Sequence, residues 1–391
     1  MALILGFQLT LNEKPSTWIE AIQRIFMKAK IAIACQGGGS QTAFTAGALK
    51  ALFDNKVQDY FNIVSLSGTS GGAICAFFTW YALKKGDSVV WKRMIDFWED
   101  NSTQTPQEKL FNDSAIKTLE LASKGLIPQY NLSPSSPITK TLFSIATYGL
   151  RSRFTNFDQL LRAHIDFSEL ATWGAKPEPP ILLMGACNVL TGKLSKFNSR
   201  EEAVKIEHIL ASACVPNIFP AVTIETMAYW DGLFSDNPPI RSLIRREFVG
   251  VENIPDEIWV IKINPTSRDK IPVQSDDIAD RRNELEGNVS LFQSLDQIDF
   301  LNQLFLKGAF KEEFLREIEL KEPFKIPKSF PEDPDQDYHI PMIEMSAELA
   351  NSLNYESKLD RSPSNIQRLI ADGEKQGKQF LEHRLKAMGL R

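Results

Sequence analysis

Along the first two thirds of the chain, apolar positions gather into short runs of strand length, each followed by a stretch at helical spacing. Residues 31–35, "IAIAC", form one such run and end at three consecutive glycines. Beyond them Phe44, Ala48, Leu49, Leu52 and Phe53 share one helical face, which predicts a helix from about Ala43. Residues 61–67, "FNIVSLS", are a second apolar, β-branched run, and "GGAICAFFTWYALKK" after it has helix length and stops at Lys84-Lys85-Gly86. Residues 63–83 carry no charge and are long enough to cross a bilayer. A spanning helix, however, would not place three glycines and several hydroxyls at its middle. Strand, glycine turn and helix is the favoured reading, with both elements buried in an α/β core.

Further on, helix-like segments occupy 89–100, 114–126 and 136–150, as walls of a pocket or as scaffold on a sheet face. Residues 179–197 read as a hairpin turning at Thr191-Gly192, residues 222–230 as one short strand, and "DEIWVIKINP" as a further buried strand. From about Ser267 the chain turns charged and helical. A Pro- and Asp-rich connector follows, then a strand-like "YHIPMIEM". The last segment sets Ile366, Leu369, Ile370, Phe380, Leu381, Leu385 and Met388 on one helical face. That face suits docking on the domain better than lying on a membrane.

Composition excludes more than it selects. The 391 residues are 24% charged and carry a net charge of −5, with no zinc-finger spacing and no basic run among aromatics, so nucleic acid is not an expected partner. Cys35, Cys75, Cys187 and Cys214 sit in apolar surroundings without a Cys-x-x-Cys pair and read as buried thiols in a reducing compartment. The N-terminal "MALILGFQLTLNEKPSTW" lacks a basic n-region and a small-residue cleavage site, and reads as no secretion signal. A cytoplasmic protein is expected, with peripheral membrane contact as an extension of that expectation.

The candidate chemistry begins at Gly68-Thr69-Ser70-Gly71-Gly72, a Gly-x-Ser-x-Gly pattern between strand and helix. Such a turn projects a serine hydroxyl at a helix N-terminus, where backbone N–H groups, Gly71 among them, favour developing negative charge. Upstream, Gly37-Gly38-Gly39 admit several readings. A phosphate loop would need Gly-Lys-Ser/Thr, and a dinucleotide fingerprint a glycine where Thr42 stands. A plain tight turn is possible; an oxyanion hole brought beside Ser70 by adjacent parallel strands fits the neighbourhood better. Serine also needs a base. His164, His208, His339 and His383 have no glycine-rich setting, and His208 reads as a packing residue on a helix. Asp231 ends a strand and precedes Gly232, which lets another backbone come near. Asp236, before Asn237-Pro238-Pro239, is expected to support it.

Three blocks in this order, "QGGGSQTAFTAGAL", "SGTSGGA" and "YWDGLFSDNPP", resemble those of the patatin-like phospholipase family. A fourth, "HILASACVPNIFPAV", is similar to the segment before that family's aspartate strand. The resemblance spans about residues 30–265. It implies a three-layer α/β/α fold with a central, largely parallel sheet, here the catalytic domain 30–265, followed by a mainly helical extension 266–391. It further implies a Ser70–Asp231 dyad, an oxyanion loop at Gly37, Gly38 and Gly39, hydrolysis of acyl-lipid esters through an acyl-enzyme, and neither metal nor cofactor. The family's basic residue and glycine after the loop are here Gln41 and Thr42, and Leu233 departs from the residue usual after Asp-Gly. Two rivals remain: a Ser-His-Asp α/β-hydrolase, and a module that binds lipid or protein with little turnover.

Overall fold

The computed structural model describes residues 28–128, 133–216, 218–317 and 342–390. The first half of the fold contains β1 (Ala29–Cys35), α1 (Ala43–Asp54), β2 (Phe61–Gly68), α2 (Gly71–Lys85), α3 (Pro106–Ser123), α4 (Pro137–Ala146), β3 (Ile181–Asn188) and β4 (Leu194–Asn198). It continues with α5 (Ile206–Ser212), β5 (Val222–Ile224), β6 (Met227–Asp231), β7 (Glu257–Lys262), α6 (Ser275–Leu306), β8 (Met342–Glu344) and α7 (Pro363–Ala387).

The described strands form one sheet in the order β5-β6-β3-β2-β1-β7-β8, with β4 also paired to β3. From β3 to β8 the pairs are parallel. Strands β4, β5 and β6 add antiparallel pairing at the other end. The apolar run of β1 is continuous because both its faces are covered. Ile31, Ile33 and Cys35 join a core with α1, α2 and α7, while Ala32 and Ala34 join a second core with Leu291, Leu295 and Ile298 of α6. The result is the expected three-layer architecture, helices on both faces of a mostly parallel sheet.

The uncharged stretch after residue 63 is a strand, a turn and a helix, and no helix among the described residues is long and apolar enough to cross a membrane. Helix α2 is buried on nearly every side, which accounts for its lack of a polar face. Helix α7 is docked. Its Ile366, Leu369, Leu381 and Leu385 are almost fully buried, and Phe380 packs edge-on against Trp259 at 5.0 Å. Arg384 is buried and paired with Glu257. The connector at 321–337 and the first half of "YHIPMIEM" lie outside the described residues, as does the N-terminal run; Met342–Glu344 is the strand expected from that segment.

Two elements differ from the sequence reading. Residues 222–230 are not one strand but the hairpin β5–β6, reversed at Glu225 with φ 54°. Helix α3 starts at Pro106, earlier than expected, because Thr105 caps it by accepting the N–H of Glu108 at 3.2 Å and Pro106 opens its first turn.

Candidate active site

Strand β2 runs into Thr69 and Ser70, and α2 begins at Gly71. Ser70 has φ 55° and ψ −130°, a conformation that side-chain-bearing residues avoid. The glycines around it exist because three backbones converge. A Cβ on Gly68 would stand 2.5 Å from the carbonyl oxygen of Gly72, and one on Gly72 would stand 2.3 Å from that of Cys35. The turn is held from outside as well as within. The Ser70 N–H donates to the carbonyl oxygen of Ser212 at 3.1 Å and to its Oγ at 3.2 Å, while the Ser212 hydroxyl donates to Gly185 O at 2.7 Å. The Thr69 hydroxyl donates to the carbonyl oxygen of Asp236 at 2.6 Å.

Asp231 closes β6 opposite Ala186 of β3, and its N–H donates to Cys214 O at 2.8 Å. Gly232 is small for the reason the sequence suggested: a Cβ there would lie 2.3 Å from the carbonyl oxygen of Gly185. The Asp231 side chain is fully buried. Its Oδ1 accepts the Leu233 N–H at 2.8 Å, and its Oδ2 has no formed hydrogen bond. The Ser70 hydroxyl nevertheless lies near enough to favour the charged carboxylate. Burial raises the Asp231 pKa to about 7, and the Ser70 hydroxyl and Leu233 N–H pull the other way.

The glycine loop leads from β1 through a short 3-10 turn, Gly39–Thr42, into α1. It lies directly on the serine turn: a Cβ on Gly37 would be 2.6 Å from Thr69 O and 2.9 Å from Ser70 Cβ. The Gly37 N–H is already engaged, donating to Asn237 Oδ1 at 2.7 Å, so Gly37 is not free to donate to a ligand. The N–H groups of Gly38, Gly39 and Gly71 have no protein acceptor among the described residues. Gln36 fastens the start of the loop, its Oε1 accepting from the N–H groups of Ile263 and Asn264 and its Nε2 donating to Gly287 O and Asn288 Oδ1.

The supporting residues divide clearly. Asp236 is buried and paired with Lys196 at 2.8 Å and Arg241 at 3.1 Å, so its carboxylate is committed while its carbonyl steadies Thr69. His208 stacks on Phe197 with ring centres 4.3 Å apart, and burial lowers its pKa to about 4, which keeps it neutral. His164 pairs with Asp100. His383 lies on α7, and His339 lies outside the described residues. Among the described residues no group of three or more His, Cys, Asp or Glu side chains is arranged to hold a metal ion. Around Asp231 in the chain, Ile218, Phe219, Met227 and Phe234 are exposed and apolar.

Ser212, Asn237 and Gln36 were not singled out by sequence. Each acts mainly through backbone groups far away in the chain, and only the "ASACVP" block hinted at Ser212.

Residues 33–244 match the family described as Patatin-like phospholipase. No curated protein matches the chain. Among solved structures it is similar to VipD from Legionella pneumophila, at 14% identity and a TM-score of 0.36, over 91% of this chain and 67% of that one. It is also similar to a chain of the heterodimeric ExoU–SpcU complex from the type III secretion system of Pseudomonas aeruginosa, at 18% identity and a TM-score of 0.22, over 76% of this chain and 57% of that one. The chain thus spans little more than half the length of the second.

Proposed function

This chain belongs to the patatin-like phospholipase family, and on that premise we propose that it is a serine lipid acyl hydrolase using Ser70 as nucleophile and Asp231 as base. The observation that carries the proposal is a serine held at positive φ between strand and helix, acting on a fully buried carboxyl whose pKa is raised to about 7.

An ordinary aspartate near pKa 3.9 is a weak base. One raised to about 7 is still substantially ionised at neutral pH and accepts a proton far more readily. Ser70 Oγ attacks the ester carbonyl and its proton passes to Asp231 Oδ2, the oxygen without a formed bond. The tetrahedral oxyanion is received by the N–H groups of Gly38, Gly39 and Gly71 at the N-terminus of α2. Asp231 returns the proton to the departing alcohol, leaving an acyl-Ser70 ester. Water then gives a proton to Asp231 while attacking that ester. The fatty acid leaves, and Ser70 regains its proton.

The Gly37 N–H, held by Asn237, positions the loop rather than the oxyanion. The exposed Ile218, Phe219, Met227 and Phe234 suit an acyl chain presented from a lipid surface, so phospholipids or related acyl lipids are the proposed substrates and peripheral membrane contact the proposed setting. Fatty acid release from phosphatidylcholine vesicles tests the reading. Release by the unaltered protein and none by Ser70→Ala is the expected result; equal release by both would end it.

A further inference from the structure

The oxyanion loop is fixed on its inner side by Gln36 and Asn237, but Gly38 and Gly39 lie beyond those anchors. Gly38 is extended and Gly39 has φ 57°, so neither is stiffened by a side chain. Donors to an oxyanion serve only if they are held in place before the charge develops.

The outer side of the loop meets a short segment from the far end of the chain. A Cβ on Gly39 would stand 2.3 Å from the carbonyl oxygen of Lys358. Gln41, almost fully buried, donates through Nε2 to Ser357 Oγ at 2.9 Å and to Asn354 O at 3.2 Å. The segment is itself rigid. Ser357 Oγ donates to Asn354 O, Asn354 Oδ1 accepts the Ser357 N–H, and the Tyr355 N–H donates to Asp280 Oδ1. The ammonium of Lys358 reaches back to Asn264 Oδ1 at 2.9 Å and to Asn283 Oδ1, and the Asn264 N–H is bound by Gln36. The contacts thus form a closed circuit around the loop.

We propose that the turn Asn354–Lys358 is a positioning element of the oxyanion loop, acting on Gly38 and Gly39 through the Gln41–Ser357 hydrogen bond. This rests on the hydrolase reading above. It also explains why Gln41 stands where the family pattern has a basic residue. Its acceptors are a carbonyl and a hydroxyl, both neutral, which an amide donor satisfies without burying a further charge.

Gln41→Ala, Ser357→Ala, the double variant and Ser357→Thr test this with a p-nitrophenyl acyl ester, alongside hydrogen exchange of the peptide covering residues 36–42. With the loop loosened, kcat should fall on the order of tenfold to a hundredfold. KM and Tm should stay close to those of the unaltered protein, and exchange in residues 36–42 should quicken. The double variant should lose clearly less than the product of the two single losses, since each single variant already removes the Gln41–Ser357 bond, and Ser357→Thr should recover most of kcat. Unchanged exchange in both alanine variants overturns the proposal, as does additive loss in the double variant. Exchange is independent of turnover. An unaltered protein without esterase activity, whose variants still exchange faster, would refute the hydrolase reading and leave the positioning of the loop by the turn Asn354–Lys358 standing.

Discussion

At Asp231 a single carboxyl carries, on the proposed mechanism, opposite consequences for stability and for turnover. Its pKa in the folded chain, about 7, lies above the ordinary 3.8 because burial disfavours the charged form. The folded state therefore holds this proton more tightly than the unfolded one. The side chain's contribution favours folding below about pH 4 and is lost as pH rises towards 7. Above that the buried charge costs on the order of 4 kcal/mol, at about 1.4 kcal/mol per pKa unit. Activity runs the other way and should fall as pH drops through about 7, where the base becomes protonated. Asp231→Asn, nearly isosteric, should therefore raise Tm at pH 8, show little gain near pH 4, and lose a thousandfold or more in kcat. A lowered Tm at pH 8 would contradict the assignment of the raised pKa to Asp231. Both Ser70 and Asp231 were legible from sequence because each stands beside a glycine that a close backbone contact requires. Ser212 and Asn237 were not, since their role depends on which distant N–H lies against them.

Among elements, the crossing of α1 and α7 is made by small residues. A Cβ on Gly373 would stand 2.1 Å from Phe44 O, one on Gly47 would stand 2.0 Å from Ile370 O, and one on Gly377 would stand 2.7 Å from Ala48 O. The two helix backbones touch, and the obstacles are carbonyl oxygens that no side-chain rotation can clear. Gly373→Leu should therefore lower Tm, with a loss of at least 1–3 kcal/mol in chemical denaturation, about what overpacked cores lose. A Tm within a degree of the unaltered protein would mean that the helices do not meet this closely. The apolar face of α7 was visible in the sequence, but its partner was not, because glycines at 373 and 377 in isolation read as weak points of a helix. The β5–β6 hairpin was hidden for a different reason. Its reversal uses Glu225 at positive φ instead of the Asn or Gly that marks such turns.

For the molecule as a whole, strand-helix alternation was enough to indicate a layered α/β fold, whereas the strand order depends on pairings no local pattern encodes. The long reach of the last third of the chain was equally hidden. Strand β8 joins the sheet beside β7, and Gly287, Asn288 and Ser290 of α6 hold Gln36 and Asn237. The charged, helical composition after Ser267 suggested an appendage, yet its side chains and carbonyls brace the glycine loop. The family accounts for residues 33–244, and the proposed chemistry converges on one hydroxyl within them. Labelling the purified protein with a fluorophosphonate at pH 8 and locating the adduct by peptide mass spectrometry tests that convergence. The expected result is one adduct per chain, on Ser70, absent from Ser70→Ala and formed far more slowly in Asp231→Asn. An adduct on another residue, or none on a folded protein, would contradict it.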